Sequence, residues 1–592
     1  MIKTKDHNQL SFIDPWEHLG PKRKKLLDQS WAGIFQKEIL PTLPVHEFAQ
    51  HFCNNNGRST KELSSVLGTI LIQHSLDTTD AETIHQFAFN QQWHYALNIW
   101  EESDDAAYMC EKTLWNMRNV FIDSDTAFLL LDSTTKALAE AFDVDLKKQR
   151  IDSVHIRSNM KNLGRIGLFS RTIHKFLVNL KRQHRSLFDH LPGDLVNRYL
   201  KKKALTAFSM VKPSASTKTL DSLSKDLLNL VELYKNNDRI GQMQSYLLLA
   251  RLLSEQCHVS WDEVSQNKTV QIKKPKEISG DSLQNPSDPD ATYDGHKGKG
   301  YQVQVMETCS ENKSPDTLNL ITYIEAEPAH LSDANALLPA IESTQKRGLK
   351  PDEILGDSLY GSDENVTEAE EKGVELISPV MPGATRKNKL HLNDFVISDD
   401  TVLFCPSGKH PVSRKTSKKT HVLGFSPQDC LSCSNQSQCP VKGGKKNNYL
   451  RYTNKDLRLA KRRQKERSSD FIGQYALRSG VEATMSEYDR LTGIKHLRVR
   501  GLKKVRFSAI LKAVGINIFR AARVRKAQMN PRKGGSSAVF CVAAPMRTLK
   551  VLTIFNKAIN YPVMRLFIKI ERIILTQRVG SEISIPHGCE IA

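Results

Sequence analysis

Three acids in this chain have the type and placement to hold a metal ion. Asp152 lies inside the segment QRIDSVHI, flanked by apolar Ile151 and Val154. An ionised carboxylate among apolar strand residues is unfavourable unless it is paired or bound to a metal. Asp357 follows Ile354-Leu355-Gly356, shortly before Gly361. Glu482 sits in the helical stretch FIGQYALRSGVEATMSEYDRL. Three carboxylates from separate elements suit a hard divalent cation such as Mg2+ or Mn2+, which takes oxygen ligands and keeps several waters. Two such ions, about 3.5–4 Å apart, activate water and stabilise a leaving 3′ oxygen in phosphodiester cleavage. The lack of a Cys/His or Ser/His signature fits chemistry without a protein nucleophile. A competing first acid lies in SDPDATYD, which offers Asp288, Asp290 and Asp294 just before a strand pattern. Asp288-Pro289-Asp290 reads more naturally as a turn, which favours Asp152. Asp357 has a plain alternative of its own, an Asx-turn into Tyr360-Gly361.

The second chemical cluster is Cys405-x24-Cys430-x2-Cys433-x5-Cys439. Cys-x2-Cys is one arm of a zinc knuckle, and Cys405 and Cys439 would complete a tetrahedral Zn2+ site. His410 is a substitute ligand, and four free thiols are the alternative. The other six of the ten cysteines are scattered singly. That placement argues for metal in a reducing compartment rather than a disulfide framework.

These side chains need a frame. Residues 60–145 read as helices: Leu63, Val66, Leu67, Ile70 and Leu71 recur at helical spacing, Asp80 N-caps a second helix, and Leu114, Trp115 and Met117 mark a third. QRIDSVHI reads as a strand. A long helical pattern follows over 171–257, then a polar loop from Ser260 to Gly300. From Tyr301 the pattern becomes strand, strand, helix, strand, helix, strand, with Asp333 and Ser362 capping the two helices and Gly373 closing the second. Without its two inserts the order is βββαβαβα, that of the ribonuclease H-like fold. The expectation is therefore an α/β ribonuclease H-like catalytic core with a helical N-terminal domain and two insertions. The segments are an N-terminal stretch 1–56, a helical DNA-binding domain 57–145, and a core from 146–170, 258–380 and 471–528. A helical insert 171–257, a cysteine-bearing insert 381–470 and a tail 529–592 complete the chain. The helix from Phe507 through Leu511, Val514 and Ile518 packs on the core, and Val551–Leu575 in the tail is amphipathic.

Charge names the partner. Of 592 residues, 85 are Lys or Arg and 65 Asp or Glu, a net +20. Between Val441 and Asn530, 24 basic residues against 6 acidic leave +18, so nearly all the excess sits in one stretch. Such a stretch suits nucleic acid, with a solvated basic surface as the alternative. KRRQKER, with Lys461, Arg462 and Arg463, and HLRVRGLKKVR would track a DNA backbone rather than read bases. No apolar run reaches the roughly 18 residues of a membrane span. The opening MIKTKDHNQL lacks an apolar leader, so a cytoplasmic, nucleoid-associated protein is expected.

The segments GRSTKELSSVLGTILIQ, CEKTLWNMRNVF, QRIDSVHIRSNMKNLGRIGLF, SDPDATYDGHKGKGYQVQV, ILGDSLYG and YALRSGVEATMSEYDRLTGIKHLRVRGLKKV occur in that order over most of residues 57–525. Together they resemble the bacterial insertion-sequence transposases of the DDE class. The likeness is to the branch with an N-terminal helical domain, a first Asp in an Asp-Ser-x-His-type strand and a cysteine-bearing insert before the final Glu. It implies Asp152, Asp357 and Glu482 as a triad holding two Mg2+ or Mn2+ ions. It also implies double-stranded DNA as substrate, both element ends and target, and a homodimer or higher assembly on DNA. Related transposases carry Tyr-x2-Arg-x3-Glu-x6-Lys; Tyr475, Arg478 and Glu482 fit, while position 489 is Asp489 and the base is displaced to Arg490. Arg478 would then hold a DNA phosphate. Residues 57–145 would read element ends, with dimerisation or packing as the alternative. Two rival functions remain open: a nuclease of the same fold that does not join strands, and an inactive DNA-binding descendant.

Overall fold

The computed structural model describes residues 2–529 except 8, 10–13, 54–57, 125, 264–265, 313, 315, 382–388 and 399. The tail helix expected at Val551–Leu575 lies outside the described residues. Strand β1 (Lys148–Arg157) turns Ile151 to one apolar layer and Val154 and Ile156 to another, so it must be covered on both faces. It sits in the middle of a six-stranded sheet. Strands β2 (Cys257–Asp262) and β3 (Asn267–Ile272) form a separate hairpin. Strands β4 (Thr292–Asp294), β5 (Gly298–Thr308) and β6 (Ile321–Pro328) make one side of the sheet. Strands β7 (Glu353–Leu355) and β8 (Glu375–Ile377) make the other. β5 is antiparallel to both β1 and β6, whereas β7 is parallel to β1 and β8 to β7.

On one face, helices Leu337–Lys346 and Asp363–Glu371 pack over Ile151, Met306, Tyr323 and Ile354. On the other, Val154, Val303, Val305 and Ile324 meet helix Gly480–Thr492 and the long helix Leu502–Met529. That second core continues into the N-terminal helices, among them Leu63–Leu76 and Ala127–Ala141. The helices of 57–145 and the sheet thus share one apolar core. The long helix is buried around most of its circumference, Phe507, Leu511, Val514 and Ile518 included. Its buried Lys512, Asn517 and Arg520 are partnered, as burial requires. Lys512 pairs with Asp77 at 3.1 Å. The Asn517 amide donates to the Ile321 carbonyl and accepts from its N–H, closing the ladder edge of β6.

Both inserts have cores of their own. Phe169, Ile173, Phe176, Leu227, Leu249 and Leu252 fill the helical one. In the second, β9 (Val396–Ser398), β10 (Thr401–Phe404), β11 (Ser413–Thr416), β12 (Thr420–Phe425) and β13 (Asn448–Thr453) enclose Phe395, Val402, Leu423, Leu450 and Tyr452. The chain leaves it by helix Asn454–Lys465, the exit helix.

Four local features differ from the sequence expectation. The cap of helix Asp80–Phe89 is Thr79, not Asp80, because Thr79 and Glu82 form a reciprocal capping box. Asp333 caps no helix; its carboxylate accepts from Ser153 Oγ and Gln304 Nε2 instead. The stretch around and after Ser260 contains the β2–β3 hairpin, whose side chains are mostly exposed although Cys257, Val270 and Ile272 pack on the helical insert's core. The helix expected around Glu482 is broken into Ser469–Tyr475, a 3-10 turn Ala476–Ser479, and Gly480–Thr492.

The elements around β1 are joined through one buried carboxylate. Glu307 on β5 is fully buried and accepts from Arg150 Nε (2.7 Å), Arg520 Nη1 (2.7 Å) and Thr484 Oγ1 (2.7 Å). Removing one partner of a buried pair leaves an uncompensated charge, at a cost of about 3–5 kcal/mol. Glu307→Gln is expected to lower unfolding free energy by about that amount in urea titrations; a loss within error of zero would remove this cluster from the account.

Candidate active site

The parallel register pairs Arg150 of β1 with Leu355 of β7. Asp152 and Asp357 each lie two residues beyond that pair, Asp152 midway along β1 and Asp357 in the loop at the carboxyl end of β7. Open α/β sheets form their sites in the crevice at that end. Asp152 Oδ1 accepts the Ser153 N–H, and Oδ2 meets Arg478 Nη2 at 2.8 Å. Burial pushes the Asp152 carboxyl up; the Ser153 N–H and the Arg478 charge oppose the rise, while Asp357 and Asp333 add to it. Asp357 makes the Asx-turn foreseen for it, its Oδ1 accepting the Leu359 N–H at 2.8 Å. Its main-chain carbonyl accepts from Ser378 Oγ. Glu482 is 74% exposed and lies 3.8 Å from Arg478 Nη1. The Arg478 guanidinium therefore stands between Asp152 and Glu482.

The donor chemistry of these acids fits a hard dication: all are oxygen ligands, and Asp152 and Asp357 repel one another across a strand gap. Among the described residues, no three His, Cys, Asp or Glu side chains stand together closely enough to hold a metal ion. Arg478 already supplies positive charge between two of the three acids.

The break in the final helix has a local cause. Arg150 Nη1 donates to the Leu477 carbonyl at 2.9 Å, drawing the 3-10 turn onto β1. A Cβ at Gly480 would lie 2.0 Å from that nitrogen, so the close approach requires glycine. Tyr475, Arg478 and Glu482 consequently do not share one regular helix. Tyr475 stacks on Phe471 with ring centroids 5.7 Å apart, and burial raises its phenol pKa. Arg490 is exposed near the end of the Glu482 helix. Arg150, Glu307, Thr484 and Gly480 were not singled out from sequence. A basic and an acidic residue inside apolar strand patterns, Arg150 and Glu307, were the available signal.

The acids of SDPDATYD have other partners. Asp288 is buried and accepts from Ser158 Oγ, Tyr301 Oη and the Gly501 N–H. Asp290 accepts the Leu502 N–H at the start of the long helix, and Asp294 accepts the N–H groups of His296 and Lys297 in a turn. In the basic run, Lys461 pairs with Asp400 at 2.6 Å and Arg463 is half-buried. Arg462 faces inward and donates to the Gly361 and Ser378 carbonyls.

Of the four clustered cysteines, Cys405, Cys430 and Cys439 pack against the second insert's core. Burial pushes the Cys439 thiol up, and the neighbouring Cys430, Cys405 and Cys433 add to the rise against a hydrogen bond from the Val441 backbone. The Lys409 N–H donates to Cys405 Sγ, and Ser407 Oγ lies 3.0 Å from Cys433 Sγ. His410 instead packs against Phe404.

Residues 404–522 match the family model described as a transposase DDE domain. The match covers most of the cysteine insert, the Glu482 helix and much of the long helix, while Asp152 and Asp357 precede it. This DDE transposase domain implies the ribonuclease H-like fold, in keeping with the mixed sheet flanked by helices, and a DNA substrate. DDE transposases in general use divalent metal ions. No curated protein matches the chain. Among the described residues no helix is long and apolar enough to cross a membrane.

Gly480→Ala is expected to displace Arg150 from the Leu477 carbonyl and reduce DNA cleavage about 100-fold, the scale of a 1 Å misplacement. Gly473→Ala, where a Cβ meets nothing within 4 Å, serves as control. Equal activity of the two variants would show that the close approach does not matter.

Proposed function

We propose that this DDE transposase cleaves transposon ends and joins the freed 3′-OH to target DNA, with Asp152, Asp357 and Glu482 holding the catalytic Mg2+ or Mn2+ ions. The reading rests chiefly on one observation: Asp152, midway along β1, and Asp357, just past β7, each lie two residues beyond the pair Arg150–Leu355, with Arg478 linking Asp152 to Glu482. Bound there, the metal ions supply Lewis acidity and an activated water or 3′-OH for in-line attack on a phosphodiester. The chain's part is to bring carboxylates and phosphate together. Arg478 offers a fork that matches phosphate geometry, so an incoming DNA strand competes with Asp152 for its guanidinium. Tyr475 and Arg490 flank the same strand, and Lys461 and Arg463 extend the cationic track on the backbone. The helices of 57–145 read the element ends, and the active assembly on DNA is a homodimer or larger. The protein works in the bacterial cytoplasm on nucleoid DNA.

Cys405, Cys430, Cys433 and Cys439 hold a structural Zn2+. Support comes from their spacing in the sequence and from the Lys409 N–H aimed at Cys405 Sγ, the kind of hydrogen bond that stabilises a metal thiolate.

Alanine at Asp152, Asp357 or Glu482 is expected to abolish cleavage of labelled element ends in Mn2+ while leaving DNA affinity near wild type, because phosphate contacts do not need the metals. Undiminished cleavage by the Asp152 variant would sink the triad. Wild-type protein that cuts but never joins ends to a target plasmid would favour the nuclease reading. Elemental analysis of protein purified without chelator should find about one zinc per chain. Full alkylation of all four thiols in the folded protein, with no zinc, would reject that site.

A further inference from the structure

The exit helix of the cysteine insert lies across the loop that carries Asp357. Lys455 pairs with Glu364 at 3.2 Å, and Arg458 grips Asp363 through two nitrogens at 3.1 and 2.6 Å. Lys465 pairs with Glu375 at 2.9 Å, and Glu466 just beyond the helix accepts the Val380 N–H at 2.6 Å. These contacts fix the start of helix Asp363–Glu371 and both ends of β8.

Arg462 differs from its neighbours on that helix. Among the described residues its guanidinium makes no ion pair within 4 Å, though Glu466, Asp363 and Glu370 are near enough to favour its charge. Nη1 donates to the Gly361 carbonyl at 3.0 Å and Nη2 to the Ser378 carbonyl at 3.2 Å. Both carbonyls lie where regular structure ends; the Gly361 carbonyl also accepts the Met381 N–H at 3.4 Å, and Arg462 gives each a side-chain donor. The two segments they belong to are already in contact, since a Cβ on Gly361 would fall 2.0 Å from the Pro379 carbonyl oxygen. Ser378 Oγ in turn donates to the Asp357 carbonyl at 2.5 Å. One planar fork thus bridges the turn after Asp357 and the strand end that supports Asp357 from behind. A lysine, with a single point charge, cannot span both carbonyls in that way.

We infer that Arg462 is a positioning residue: its guanidinium ties the Gly361 turn to the Ser378 end of β8 and so fixes the Asp357 carboxylate for metal binding, coupling the cysteine insert to the active site. The inference rests on the reading of Asp357 as a metal-holding acid. It gives Arg462 a role apart from the phosphate-tracking one of Lys461 and Arg463.

The test is Mn2+ binding to the full chain, followed by electron paramagnetic resonance, for Arg462→Lys, Arg462→Gln, Arg458→Gln and Asp357→Asn. Groups that orient a metal ligand are typically worth about 10–100-fold in metal affinity, and that loss is expected for both Arg462 variants. Arg458→Gln, which frees helix Asp363–Glu371 but leaves the two carbonyls bridged, should stay near wild type. Affinity of the Arg462 variants for a random-sequence duplex, and its salt slope, should not change. Wild-type Mn2+ affinity in both Arg462 variants would overturn the inference. So would a salt slope flattened by about 0.9, the mark of one lost phosphate contact. An equal loss in Arg458→Gln would also overturn it, by assigning the effect to helix docking in general. If Arg462→Gln fails to fold, Arg462→Lys decides, because it keeps the stem and the charge. Wild-type Mn2+ binding by Asp357→Asn would refute the metal reading itself. A loss there without one in the Arg462 variants would refute the positioning role alone.

Discussion

A single buried carboxylate organises this molecule. Glu307 has no exposed side-chain surface, and water cannot compensate its charge. Arg150 and Arg520 must do so, and each brings a different element with it. Arg150 belongs to β1, two residues before Asp152, and reaches on to the Leu477 carbonyl beside Arg478. Arg520 belongs to the long helix and also bonds Thr484 and Glu487 on the Glu482 helix. The strand of the first acid and the helix of the third are therefore placed by reference to one anion. Burying charges is costly, and such a cluster adds little net stability over well-packed hydrophobes of the same volume. Its physical merit is directional: an apolar contact tolerates sliding, whereas forked hydrogen bonds fix a strand and a helix in register.

The proposed metal site has the opposite character. Asp152, Asp357 and Asp333 repel one another, and burial disfavours the charge on Asp152. Arg478 is the local answer in the free protein, paired with Asp152 and near Glu482. Like charges gathered around one guanidinium leave their repulsion only partly offset in the free protein, and the proposed cation would relieve it. That is the expected condition of a site whose binding energy is reserved for substrate and metal rather than for folding.

The sheet, and the placement of Asp152 within β1 and Asp357 just after β7, were legible because they rest on local pattern. Ile151 and Val154 bracket Asp152, and apolar Ile354-Leu355 announces Asp357. The helix break before Gly480 was not legible: Ala476, Leu477, Arg478 and Ser479 carry no strong helix-breaking signal, and the bend is imposed by Arg150 from a distant strand. The role of Arg462 was hidden for a similar reason. In KRRQKER one arginine faces carbonyls while Lys461 faces Asp400, and composition cannot tell them apart. Leu457 and Ala460 mark the buried side of that helix, which was the available clue. At Thr79 the capping-box spacing to Glu82 was present in the sequence, and Asp80 was a competing reading one residue away.

The central claim is that one metal centre draws on Asp152, Asp357 and Glu482 together, although these residues come from elements far apart in the chain. Affinity cleavage tests it most directly. Fe2+ replaces Mg2+ in the protein bound to element-end DNA, ascorbate and peroxide generate hydroxyl radicals at the metal, and the cut peptides are mapped by mass spectrometry. The account predicts backbone cuts clustered around residues 152, 357 and 482 in the same sample, suppressed together by excess Mg2+. Cuts centred on residues 288–294, or at one of the three acids without the others, would contradict it.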